Sequence, residues 1–203
     1  IYARFQQSRR LQYRVDSDIP SRVALAAART AAADAPTSAP PQYLQLPDDI
    51  DPRIRALAQE IVKDAKTPLD KASRVEAYLK RTYKYTLTLD WNPGPRPVST
   101  FLFEAKSGHC EYFASSMALL LRSVNVPTRL VNGFLMGEYN PVGDAYIVRQ
   151  SDAHSWVEAF IPGFGWLEFD PTPGDANPPQ SGLMAQLSHY ADAVGLFWNT
   201  YIL

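Results

Sequence analysis

The sequence predicts an α+β domain in which a buried helix, opening on a cysteine, packs on an antiparallel sheet. Three observations predict it. Apolar residues recur at helical spacing from about residue 50 to residue 124. After Pro127 the period changes to two, with turn residues between short runs. Between these regimes Ser107-Gly108-His109 leads directly into a strongly apolar helix whose first residue is Cys110. Helices followed by a run of strands is the α+β order.

The elements follow in order. Leu11 to Val15 alternates and reads as a strand, and Arg22 to Ala33 as a short helix. Ala35-Pro36-Thr37-Ser38-Ala39-Pro40-Pro41 is a linker, because repeated proline removes donors and blocks helix. Residues 1–42 thus precede a compact core expected over 43–176. Asp51 is a helix N-cap with Pro52 at the first helical position, followed by Ile54, Leu57, Ala58, Ile61 and Val62 at helical spacing. Thr67 and Pro68 open the next helix, with Asp70 at capping-box distance and Leu69, Ala72, Val75, Tyr78 and Leu79 on its apolar face.

Tyr83 to Leu89 alternates and is expected as a strand; Trp91 to Pro97 is a Pro/Gly loop. The helix after Cys110 carries Phe113, Met117, Leu120, Leu121 and Val124, and stops at Asn125 before Pro127. Strands are expected over Thr128–Phe134, Ala145–Val148, Ser155–Ile161 and Trp166–Phe169. Residues 177–203 form a Pro-rich exit and an amphipathic helix from Leu183 to Trp198. That helix reads either as packed on the domain or as juxtamembrane.

Composition narrows the function classes. The chain has 203 residues, 46% apolar and 20% charged, with a formal net charge of −1. A nucleic-acid binder would carry a strong basic balance. With 3 His and 1 Cys, a Cys/His metal cluster is nearly excluded. No run of about 18 apolar residues is present, so no segment reads as a membrane span. Both ends read as cut from a longer chain.

Three places carry chemistry. Cys110 falls in the first turn of a helix, where the dipole and free N–H groups favour an anion and can hold an oxyanion. His154 opens a strand whose other face, Val157 and Ala159, is apolar, so His154, Trp156 and Glu158 share the polar face. Asp170 ends the next strand, opposite the face of Leu167 and Phe169. The short link Pro162-Gly163-Phe164-Gly165 makes these strands a hairpin. If Phe160 pairs with Trp166, Trp156 faces Asp170 and His154 is its diagonal neighbour. A slip by one residue would part them. This set suits acyl transfer: Cys110 as nucleophile, His154 as base and then acid, Asp170 as the group that orients the imidazole. Candidate oxyanion or substrate contacts are His109, Tyr85, Trp91 and Trp156.

Three segments support a family resemblance. Ser107-Gly108-His109-Cys110-Glu111-Tyr112-Phe113-Ala114 resembles the nucleophile motif of the transglutaminase-like superfamily. Asp152-Ala153-His154-Ser155-Trp156-Val157-Glu158 is similar to its histidine motif, and Gly165-Trp166 through Asp170-Pro171-Thr172 to its aspartate motif. The wider surroundings, including Leu46-Pro47-Asp48, Tyr83-Lys84-Tyr85-Thr86 and Gly137-Glu138-Tyr139-Asn140-Pro141, look like the bacterial membrane-anchored branch, the TgpA-type transglutaminases. The resemblance implies a papain-like core and no cofactor. It also implies an extracytoplasmic, periplasmic domain of an inner-membrane protein, attached through segments outside this chain. In that branch an aromatic residue often precedes the nucleophile; here His109 holds the position. Animal relatives need calcium, but no acidic loop in this chain demands it.

The reading that follows is a protein-glutamine γ-glutamyltransferase. Its partners would be a glutamine-containing protein or peptide and an amine acceptor, such as a lysine or a cell-wall amine, with water giving deamidation. A cysteine peptidase or peptidoglycan amidase would use the same triad. A silent binding module is the third reading, and such modules often lack part of the triad.

Overall fold

The structure, a computed structural model, describes residues 39–174 and residue 192. The expected N-terminal strand and helix, and the C-terminal amphipathic helix, lie outside the described residues apart from Asp192.

Two capped helices build one side of the core. Asp51 accepts a hydrogen bond from Arg53 N at 2.9 Å and opens α1, Pro52–Ile61. The Arg53 guanidinium also grips the Asp51 carboxylate, with Nη2 at 2.7 Å. That bond, opposed by burial, holds the Asp51 pKa down at about 2. Thr67 Oγ1 accepts from Asp70 N at 3.1 Å and opens α2, Pro68–Thr82. Ile54, Ala58, Leu69, Ala72, Val75 and Leu79 are buried, so both helices bury the stripes their periodicity marks.

The chain then departs from expectation. Only Lys84–Tyr85 of the expected Tyr83–Leu89 strand forms ladder, as β1. Tyr83 instead caps α2, and Thr86 and Thr88 bond each other in a local turn. β1 is two residues long because its partner is. It pairs in parallel with β2, Ser107–Gly108, in the register Lys84↔Ser107 and Tyr85↔Gly108. Between them Pro97–Thr100 makes a one-turn helix, α3, and Phe101–Ala105 continues as a π-helical turn closed by Lys106 at φ 56°.

Helix α4, Cys110–Ser123, is the central element. Phe113, Met117, Leu120 and Leu121 are wholly buried. It ends where expected: Asn125 adopts φ 62°, a left-handed conformation Asn tolerates, ahead of Val126-Pro127. The sheet runs in the order β3-β6-β7, with β3 Thr128–Phe134, β6 Ala153–Ile161 and β7 Gly165–Phe169, all antiparallel. Val157, Ala159 and Ile161 from β6 and Leu167 and Phe169 from β7 are buried in the core that α4 joins. A separate hairpin pairs β4, Glu138–Asn140, with β5, Ala145–Ile147. Strand β4 was not expected. The Pro141/Gly143 turn that hid it is the hairpin's own connection, tied by Asn140 Oδ1 accepting from Val142 N and Gly143 N.

Candidate functional site

Cys110 is the first residue of α4, after His109 in extended conformation (φ −96°, ψ 178°). No side chain caps this terminus, and Tyr112 N is taken by His109 O at 3.0 Å, so the N–H groups of Cys110 and Glu111 are the ones left to an anion at the sulfur or at an attacked carbonyl. The turn before it is tightly held. Lys84 N donates to Lys106 O at 3.0 Å and Thr86 N to Gly108 O at 2.9 Å. Gly108 must be glycine for space: a Cβ there would meet the Tyr112 ring at 2.9 Å and Phe101 at 3.2 Å. Behind it Phe101, Tyr112, Phe113 and Tyr83 form a ring cluster with centroids 4.9–6.5 Å apart.

Cys110 opens into a cavity of roughly 410 Å³, which His154, His109, Tyr85, Leu87, Glu111, Asn132 and Ser155 also line. His154 is buried, and its Nε2 lies 2.8 Å from Asp170 Oδ2. The other carboxylate oxygen accepts from Thr172 N at 2.9 Å. Asp170 is thus fixed on both oxygens, and it fixes the imidazole in turn. The strand register responsible is the one expected: Phe160↔Trp166 and Val157↔Phe169, which carries Trp156 opposite Asp170. The Asp152 carboxylate accepts from Arg149 N and its carbonyl from Leu135 N, both setting the start of β6.

The other candidates separate. Tyr85 and His109 line the cavity. Burial, and after it the negative charge of Cys110 and Asp170, raises the Tyr85 pKa, so the phenol remains a donor. The His109 ring sits edge-on to Tyr112 at 4.7 Å, with Nδ1 3.8 Å from Glu111 Oε2. Trp91 does not line the cavity. Its indole N–H donates to Ser107 O at 2.9 Å and so ties down the loop leading to Cys110; it is not a free oxyanion donor. Trp156 covers Gly133, where a Cβ would meet its ring at 2.6 Å, and it stacks 6.3 Å from His154. Its indole N–H is buried without a hydrogen bond, so Trp156 backs the imidazole and does not present a donor to the cavity.

Asn132 and Ser155 escaped the sequence reading. They face each other across β3 and β6, with Ser155 Oγ donating to Asn132 Oδ1 at 2.8 Å. Their parity puts them on the face of Thr128, Val157 and Ala159. Two polar residues where alternation asks for apolar ones was the available signal.

Comparison with known proteins gives the family and the fold. Residues 55–171 match the transglutaminase-like superfamily. The uncharacterized protein YebA of Bacillus subtilis is 42% identical over 147 residues, 68% of this chain and 20% of that protein. The protein-glutamine gamma-glutamyltransferase of Pseudomonas aeruginosa is 41% identical over 130 residues, 64% of this chain and 19% of that one. The crystal structure of the periplasmic domain of TgpA from Pseudomonas aeruginosa superposes with a TM-score of 0.60 at 38% identity, covering 66% of this chain and 48% of that chain. The chain therefore spans about a fifth of the length of the curated relatives it matches.

Proposed function

The chain belongs to the transglutaminase-like superfamily, and from that membership we propose that it is the catalytic domain of a protein-glutamine γ-glutamyltransferase with Cys110, His154 and Asp170 as its triad. The observation that carries this reading is the His154 Nε2–Asp170 Oδ2 contact of 2.8 Å in the wall of the cavity onto which Cys110 opens.

On this reading acyl transfer runs as follows. Asp170 holds Nε2, leaving Nδ1 of His154 to exchange a proton with the sulfur. The Cys110 thiolate attacks the glutamine side-chain carbonyl. The developing oxyanion is held by the Cys110 backbone N–H at the start of α4 and by the Tyr85 hydroxyl. Imidazolium gives its proton to the leaving nitrogen, and ammonia departs to leave a γ-glutamyl thioester. His154 then takes a proton from an incoming amine, whose nitrogen attacks the thioester and releases the Cys110 thiolate. Water in place of the amine gives deamidation. No step requires a metal or cofactor.

The relative with a named activity is a transferase, which favours amide transfer over peptide cleavage. The likeness to a periplasmic domain supports an extracytoplasmic location. Membrane attachment would come through segments outside this chain; among the described residues no helix is long and apolar enough to cross a membrane. Hydroxamate formation from a glutamine-containing peptide and hydroxylamine tests the reading. Activity is expected in the parent and a loss of more than about 10³-fold in Cys110→Ala with unchanged melting temperature. Undiminished hydroxamate formation in Cys110→Ala would refute it.

A further inference from the structure

Strand β3 is the outer strand of its sheet: the order is β3-β6-β7, and among the described residues no strand pairs with its other side. The direction of its backbone groups follows from the ladder. Phe160 N donates to Pro127 O and Leu135 N to Asp152 O, at the two ends of an unbroken register. In an antiparallel pair, bonded positions alternate. Residues of odd number therefore face β6, and Leu130, Asn132 and Phe134 turn their N–H and C=O groups outward. The carbonyl of Thr128, of the same parity, accepts from the Arg122 guanidinium, as an outward carbonyl should. Beyond that contact and the Pro41–Leu44 turn that also touches β3, no strand of the described residues covers the edge, and Leu130 and Phe134 are 42% and 57% exposed.

We propose that this edge binds the substrate as an added β-strand, so that the donor is an extended segment with glutamine flanked at the second position on each side by apolar residues. The inference rests on the acyl-transfer reading above. A row of outward backbone donors and acceptors is matched by another extended backbone and by little else. The placement of Asn132 sets the register. It belongs both to the open edge and to the lining of the Cys110 cavity. A strand laid against β3 puts the residue beside Asn132 on the same face, directed at that cavity. Residues two positions away then share the face of Leu130 and Phe134, whose exposed side chains give each an apolar neighbour.

The test uses short peptides of this pattern carrying a side-chain chloroacetamide in place of glutamine, which needs no acyl transfer. The peptide is expected to alkylate Cys110 at least about tenfold faster than chloroacetamide, and N-methylation of the alternate amides facing β3 to remove most of that advantage. Leu130→Pro deletes one outward N–H while leaving the β6 ladder intact and should lower the advantage similarly. The methylated peptide supplies the same information without altering the protein. Equal rates for parent and methylated peptides, or for the parent peptide and chloroacetamide, would overturn edge binding while leaving a reactive Cys110. Lack of reaction with either reagent would overturn the acyl-transfer reading and the edge proposal together.

Discussion

The turn that carries Cys110 and the segment that follows β3 are built differently. On the Cys110 side, Phe101 and Phe113 are fully buried, Tyr83 nearly so, and parallel β1–β2 bonds pin the turn into α4. Following β3, whose Asn132 and Gly133 line the cavity, Phe134, Met136 and the β4–β5 hairpin residues Tyr139 and Tyr146, with Val148 after it, are exposed, and the hairpin is a two-stranded unit of its own. Close-packed aromatics hold a nucleophile in one position, whereas a two-stranded ribbon with solvent on its apolar side chains can accommodate different chains. The contrast suits the acyl transfer proposed above, in which the nucleophile must not move while a substrate of variable sequence approaches it.

Mutations should expose that contrast, the largest effects falling on the buried side. Phe113→Ala removes a ring contacting Phe101, Tyr83 and Tyr85. A loss of about 3–5 kcal/mol is expected from denaturant titration; a loss below about 1 kcal/mol would show this wall to be as yielding as the other. Tyr85→Phe deletes the proposed oxyanion donor while keeping the ring against Phe113. Hydroxamate kcat/KM should fall about 10²-fold, with alkylation of Cys110 by a small reagent unchanged. Because the Tyr85 pKa is raised, its hydroxyl stays protonated through the neutral range and above its ordinary value of about 10. The parent's pH–rate profile should therefore show no Tyr85 ionisation on its alkaline side below that pH.

Asp51→Asn keeps a competent N-cap but removes the charge that Arg53 grips, and should cost up to about 1 kcal/mol at neutral pH. The sign of its pH dependence follows from the lowered pKa. The Asp51 contribution is full above the unfolded-state value of about 4 and is lost as pH falls toward about 2. The stability gap between parent and variant, followed by thermal melts, should close over that interval. Smallest is Tyr146→Ala on the hairpin, expected within about 0.5 kcal/mol of the parent. A larger loss would mean that this exposed side chain braces the cleft.

What the sequence alone determined was local. Asp51 and Thr67 announce their helices because a cap satisfies N–H groups two or three residues away. Cys110 could be placed at a helix start because glycine and a following apolar stripe lie within ten residues of it. Even the His154–Asp170 contact was legible, since a short hairpin link, three residues between Ile161 and Gly165, fixes register and register fixes which side chains meet. The family was legible for the same reason, being carried by three short segments.

Tertiary structure decided the rest. The pairing of Tyr85 with Gly108 joins residues 23 apart in parallel, and no pattern within either dipeptide encodes it. The expected strand over 83–89 was cut to two residues because a strand extends only as far as its partner does. Trp91 reads from sequence as a free aromatic donor until Ser107 O is placed beside it. Asn132 and Ser155 read as breaks in alternation until the start of α4 opens a cavity over them. Local periodicity specifies which face of an element is apolar; which atoms come to stand opposite that face depends on packing between elements distant in the chain.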